Sequence, residues 1–135
     1  MIKLITGKKG SGKTKKIIDM ANESLQTNKG NTLFISDTNR YMYDIKRAVR
    51  FLLTKEYKID GQEQLLAFIK GIIASNSDNN LIYIDGLARI LKIDIENMQS
   101  FYEGLDTIAD EYDVDFILTV SADVLPDFMS DYQVL

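Results

Sequence analysis

Gly7-Lys8-Lys9-Gly10-Ser11-Gly12-Lys13-Thr14 constrains this chain more than any other stretch. Glycines at 7, 10 and 12 permit backbone dihedrals that a Cβ would forbid, and they let the main chain approach a ligand closely. The preceding residues, Met1 to Thr6, are short and mostly apolar and predict a strand over about 2–6. The following residues carry apolar side chains at helical spacing and predict a helix over about 13–27. Strand, glycine-rich turn and helix in that order aim successive N–H groups into a concavity at a helix N-terminus. Such a concavity favours an anion, through the free N–H groups and the positive end of the helix dipole.

The spacing is that of the phosphate-binding loop, G-x-x-x-x-G-K-[ST]. The expected ligand is a nucleoside triphosphate. Its contacts are expected from Gly7, Lys8, Lys9, Gly10, Ser11, Gly12, Lys13, Thr14 and Lys15. Lys13 is expected to reach the β- and γ-phosphates and the Thr14 hydroxyl to ligate Mg²⁺. Lys8 and Lys9 occupy variable motif positions, where they either add positive potential or are simply solvated. The competing reading of the whole stretch is a glycine-rich turn that fits the pattern by chance.

Composition narrows the remaining choices. A chain of 135 residues with 45% apolar side chains matches one domain with one core. The net charge of −4 gives no global field toward nucleic acid or lipid, so nucleic acid is not expected as the main partner. Lys15 and Lys16 join Lys8, Lys9 and Lys13 in a local basic patch that the loop already explains. Cysteine is absent, which removes disulfides, thiolate nucleophiles and thiolate metal sites. Histidine is absent too, and with it the commonest general base. No apolar run approaches the ~20 residues of a membrane helix, and the first strand leads directly into the loop rather than resembling a cleavable signal. A soluble, cytoplasmic protein is expected.

Strands alternate with helices along the chain, which predicts a mostly parallel sheet covered on both faces. Asn28 to Asn31 forms a turn with Gly30 as the helix stop, and Thr32 to Ser36 is the second strand. Tyr41 to Val49 suggests a short helix, and Arg50 to Thr54 an edge strand or a continuation of that helix, with the strand favoured. Asp60 and Glu63 have capping-box spacing ahead of an amphipathic helix over 61–75, with Leu65, Leu66, Phe68, Ile69, Ile72 and Ile73 toward the core. Leu81 to Asp85 is a buried strand, 95–111 a helix and Val114 to Val120 the last strand. Ser121 would then cap a short final helix with Pro126 in its first turns.

Leu81-Ile82-Tyr83-Ile84-Asp85 is the expected partner of the loop. A buried strand delivers one carboxylate to its carboxyl end, the edge at which open α/β sheets bind ligands. Asp85 is therefore assigned to Mg²⁺ with Thr14, against the alternative of a turn made with Gly86. Two residues join Lys13 as catalytic candidates. Ser121, at a strand tip, either feels the γ-phosphate and orients water or caps the last helix. Asp37, at the end of the second strand, either polarises water or caps the next segment. Gly86 stands where many ATPases carry a basic glutamate. Arginines 40, 47, 50 and 89 are candidate charge stabilisers, and nothing in the sequence chooses among them. Tyr41, Tyr43, Phe51 and Tyr57 offer either packing or a base-stacking surface.

These residues resemble the P-loop nucleoside-triphosphatase superfamily. The match is specific over Gly7–Thr14, moderate over 81–85, and extends through the alternation of elements to most of the chain. The order of phosphate loop, Asp37 strand, Asp85 strand and polar-tipped strand is similar to the RecA-like ATPase core. It also resembles small bacterial ATP-binding proteins labelled as pilus-retraction (twitching motility) ATPases. A weaker resemblance is to type II thymidine kinases, whose second strand ends in an aspartate followed by Arg-Tyr, as Asp37-Thr38-Asn39-Arg40-Tyr41 does. That family also has a glutamate where Gly86 stands and a cysteine-bearing zinc lasso that this chain lacks. The resemblance implies a three-layer α-β-α fold with a mostly parallel sheet of about five strands. It implies binding of ATP with Mg²⁺ and slow hydrolysis, as a switch or as one part of a complex. A small-molecule or nucleoside kinase and a non-enzymatic nucleotide-binding regulator are the alternatives. No guanine-recognition signature is present, which favours ATP over GTP; a protein partner or self-association is left open.

Overall fold

Three strands are predominantly apolar and bury side chains on both faces. They are β1 (Ile2–Gly7), β4 (Asn79–Asp85) and β5 (Asp115–Ser121). Successive side chains go to opposite faces. Leu4, Ile82, Ile84, Phe116 and Leu118 enter one core, and Ile5, Tyr83 and Ile117 enter the other. The structure is a computed structural model and describes residues 1–135.

The sheet has six strands in the order β3-β2-β4-β5-β1-β6. β2 is Asn31–Ser36, β3 is Arg50–Leu53 and β6 is Gln133–Val134. Every pairing is parallel. Parallel neighbours need crossover connections, and helices supply most of them. α1 (Lys13–Ser24) covers one face with Ile17, Ile18 and Ala21. α2 (Gln62–Ser75), α3 (Leu87–Leu91) and α4 (Gln99–Tyr112) cover the other, with Leu65, Ile69, Leu87, Ile90, Phe101, Tyr102 and Leu105 at its centre. The result is an α/β fold of three layers. No helix is long and apolar enough to cross a membrane.

Topology places the site. The chain leaves β1 through α1 toward β2 on one side, and leaves β5 toward β6 on the other. The two paths diverge between β1 and β5, whose tips Gly7 and Ser121 stand in register. A divergence of this kind opens a crevice at the carboxyl edge of a parallel sheet.

Several boundaries differ from expectation. The sheet has six strands rather than five, because the two-residue β6 carries no periodic signal. α1 stops at Ser24, and Gly30 is not its stop: Gly30 has no positive φ. A Cβ there would stand 2.5 Å from the Asp78 carbonyl oxygen and 2.5 Å from Asn80 Oδ1. Gly30→Ala is therefore expected to cost ~1–3 kcal/mol, the usual penalty of overpacking, read as a lowered urea midpoint at constant slope. Residues 41–49 hold only a 3-10 turn over Met42–Asp44, and the favoured edge strand is present as β3.

The Asp60–Glu63 capping box does not form. Gly61, at φ 95, swings the chain so that the Asp60 carboxylate pairs with Lys92 Nζ at 3.0 Å. Gln64 supplies the reciprocal bond instead, its Oε1 accepting from the Asp60 N–H at 2.5 Å. The helix expected over 95–111 is a 3-10 turn at Ile95–Asn97 followed by α4. No final helix follows Ser121. Residues before a proline avoid the helical region, and Pro126 itself is extended (φ −59, ψ 155), so only a 3-10 turn forms over Asp127–Met129.

Candidate functional site

The glycine loop joins β1 to α1 at the crevice. Gly10 and Gly12 take φ values of +82 and +89, a region that side chains disfavour. The Ser11 N–H donates to the Lys8 carbonyl at 3.1 Å and closes the turn. Lys13 Nζ donates to the same carbonyl at 2.7 Å, so its ammonium lies across the loop rather than away from it. The first N–H groups of α1 have no carbonyl partner within the helix. The loop therefore offers clustered donors and a cation to one small volume.

Asp85 ends β4 beside that volume and is only 4% exposed. The Thr14 hydroxyl donates to Oδ2 at 3.1 Å, and the Thr119 hydroxyl donates to Oδ1 at 2.6 Å. Neither lysine nor arginine forms an ion pair with it. Burying a carboxylate without a countercharge is costly, and two hydroxyls offset only part of that cost. The pair of oxygens at Thr14 and Asp85 suits a hard cation. The Thr14 proton goes to Asp85, which leaves the hydroxyl lone pairs for a metal. No cluster of three acids exists that could hold an ion alone. That fits Mg²⁺, which keeps waters and takes one or two protein ligands together with substrate phosphates.

Asp37 follows β2 and is engaged on both oxygens by Arg89 of α3. Nε donates to Oδ2 at 2.7 Å and Nη2 to Oδ1 at 3.1 Å. The hydrogen bond to Asp37 holds the Arg89 guanidinium above its usual pKa. Gly86 makes the pair sterically feasible. Its φ is +87, and a Cβ there would lie 2.3 Å from Asp37 Oδ1 and 2.6 Å from Arg89 Nη2. The glycine at 86 thus leaves the space in which the Asp37–Arg89 contact forms.

A cleft of about 1360 Å³ runs over these groups. Lys9, Gly10, Gly12, Lys13, Thr14, Lys15, Asp37, Asp85 and Ser121 all line it. Gly7, Lys8 and Ser11 do not. The Lys15 ammonium is taken by Asp19 at 2.7 Å, so its side chain points along α1. Ser121, the exposed last residue of β5, has no helix to cap. One arm of the cleft passes over the α1 layer at Ile18 and Tyr41, and the other over the α4 layer at Ile93, Met98 and Tyr102. Tyr102 is fully buried, its hydroxyl has no hydrogen-bond partner, and burial raises its pKa.

Of the four arginines, Arg40 and Arg89 line the cleft while Arg47 and Arg50 do not. The four aromatic residues do not form one cluster. Phe51 stacks on Phe34, Tyr57 packs on Phe68, Tyr43 is 92% exposed, and Tyr41 lies under the Arg40 guanidinium at 5.3 Å. Thr119 is the site residue that sequence reasoning missed. Its signal was present: Thr119 and Ser121 share one side of β5, so a tip residue at 121 puts 119 one step inside the same site.

Scans against protein-family models and against curated proteins find no match.

Proposed function

We propose that this chain is a P-loop nucleoside-triphosphatase core that binds Mg·ATP and hydrolyses it slowly. The observation that carries the reading is Asp85, a buried carboxylate with two hydroxyl donors and no ion-pair partner, set against a glycine-rich loop. An anion site and an unpaired buried acid share one edge, and a cation carried in by phosphate oxygens would satisfy both.

In this reading the loop N–H groups between Gly7 and Thr14 hold the β- and γ-phosphates. Lys13 exchanges the Lys8 carbonyl for phosphate oxygens and neutralises the charge that develops there. Thr14 and Asp85 would hold Mg²⁺, which supplies charge stabilisation on the phosphate oxygens. Thr119 holds the Asp85 carboxylate in place, and Ser121 lines the same cleft with a free hydroxyl that would orient water. No free acid stands at 86, and Arg89 occupies Asp37, so activation of that water is weak and turnover slow. A slow hydrolase suits a switch or a partner-dependent module better than a metabolic catalyst.

One observation favours a second reading, transfer to a small-molecule acceptor. The cleft of about 1360 Å³ exceeds the roughly 300–1,000 Å³ typical of single-ligand pockets, and its Ile93–Tyr102 arm lies beyond the loop. Calorimetric titration with ATP separates binding from its absence. Saturable heat with Mg²⁺, and at least roughly tenfold weaker affinity in EDTA, is expected. No heat with ATP or GTP rejects the nucleotide reading. Phosphate release from ATP alone supports hydrolysis, whereas ADP formed only with added nucleoside, with the phosphoryl group on the nucleoside and none free, supports transfer.

A further inference from the structure

The cleft has a second end, away from the glycine loop. Ile93 and Ile95 precede α4, Met98 and Tyr102 belong to its N-terminal end, and Val120 lies near the tip of β5; all five line the cleft. Met98, Tyr102 and Val120 are buried in the larger core, and Ile93 and Ile95 pack on it half-buried. The Tyr102 ring is fixed among Phe101, Phe128 and Tyr132, with centroids 5.7, 6.1 and 5.6 Å away. Tyr132 donates its own hydroxyl proton to Asp106. The Tyr102 hydroxyl is buried and bonds nothing within the protein, an arrangement that costs stability. Two exposed carboxylates, Asp94 and Glu96, line the same end, and neither forms an ion pair. The nearby cations are already engaged, Arg89 with Asp37 and Lys92 with Asp60.

We propose that this end of the cleft binds a small, ring-bearing, non-anionic molecule that gives the Tyr102 hydroxyl its hydrogen bond. The site gives the transfer reading a chemistry for its acceptor, yet it is built without the glycine loop and requires no nucleotide there. The walls choose the body of the ligand. Ile93, Ile95 and Val120 favour an apolar surface, and the Met98 thioether and the Tyr102 ring favour an aromatic one. The hydroxyl chooses its polar atom. A water molecule suits this floor poorly, because it needs two to four polar partners and the five wall residues offer one hydroxyl. A ring carrying a single hydroxyl or carbonyl satisfies Tyr102 and leaves nothing of its own unpaired. The carboxylates choose the charge. Asp94 and Glu96 disfavour a phosphate or carboxylate on the ligand, modestly because both are solvated. This end therefore discriminates against the anions that the loop end attracts.

Three phenols of different charge test the site: p-cresol (neutral), tyramine (cationic) and para-hydroxyphenylacetate (anionic). Each is titrated into the full chain and followed by amide NMR shifts. p-Cresol is expected to saturate with a Kd of about 1 mM or below, as suits so small a ligand, and to move amides within 93–102 and at Val120. Tyramine is expected to bind at least as well, and para-hydroxyphenylacetate about three- to tenfold more weakly. Asp94→Asn combined with Glu96→Gln is expected to abolish that difference. Tyr102→Phe is expected to weaken p-cresol about three- to tenfold while the urea midpoint stays the same or rises, since the hydroxyl it removes has no partner in the protein. A p-cresol affinity unchanged in Tyr102→Phe overturns the site, as does a lowered urea midpoint, which would give the hydroxyl to the fold. So do shifts mapping elsewhere, no saturation below about 10 mM, or anionic and neutral phenols binding equally to wild type. ATP titration measures the loop separately: heat from ATP with no p-cresol site overturns this inference alone, and a p-cresol site without heat from ATP or GTP overturns the nucleotide reading alone.

Discussion

Lys13→Ala is expected to weaken ATP binding about 100-fold or more while leaving the protein folded. The side chain contributes one hydrogen bond to the Lys8 carbonyl and belongs to neither apolar core, so its removal leaves the packing intact. Alanine is also the best helix former, and the substitution falls at the first residue of α1. The loss on the ligand side is larger. Each charge-assisted bond contributes about 1.5–3 kcal/mol, and in the proposed reading Lys13 makes one to each of two phosphates. At 1.4 kcal/mol per factor of ten, losing them costs about two orders of magnitude or more. Calorimetry checks the affinity, and far-UV circular dichroism with a urea midpoint checks the fold. An ATP affinity within about threefold of wild type, in a folded variant, removes the loop's assigned role.

Asp85→Ala is expected to separate metal from nucleotide. In wild type the carboxylate repels a triphosphate and attracts the cation that accompanies it. Without the carboxylate, affinity for ATP in EDTA stays the same or rises, because the repulsion is gone. Affinity in Mg²⁺ falls toward that value, so the gain conferred by the metal, roughly tenfold in wild type, shrinks to about twofold or less. Mg²⁺-dependent phosphate release falls with it. Parallel titrations with and without Mg²⁺ measure both effects. Equal loss under the two conditions would show that Asp85 serves the loop's shape rather than the cation. Asp85→Asn keeps the volume and one acceptor for Thr14 or Thr119, and serves as the shape control.

Much of this architecture was legible because its signals are local and sterically strict. Gly10 and Gly12 adopt the positive φ that the loop spacing requires, and Asp85 ends a strand whose apolar run announces burial on both faces. Thr14 and Asp85, 71 residues apart in sequence, come within hydrogen-bond distance at one sheet edge. The features that escaped depend on geometry between distant elements. α3 has five residues, too few for periodicity to register, and is defined by the left-handed turns around it. Arg89 differs from Arg47 and Arg50 only in where α3 sets it, which no local pattern encodes. Asp37 was assigned from its strand-end position, but a tertiary contact with Arg89 decides what its oxygens do. The capping box failed for the same reason, since Lys92 from another element competes for Asp60.

The strand order has a consequence for how the chain reaches its native state. β1 pairs only with β5 and β6, both more than a hundred residues downstream. Contacts so distant in sequence are slow to form, since loop closure precedes any reward from them. The segment that ends in the glycine turn thus precedes both of its sheet neighbours in synthesis and is paired only after them. The turn has no strand beside it until β5 has been made, so any ligand that needs the closed sheet edge would bind late and stabilise the finished sheet.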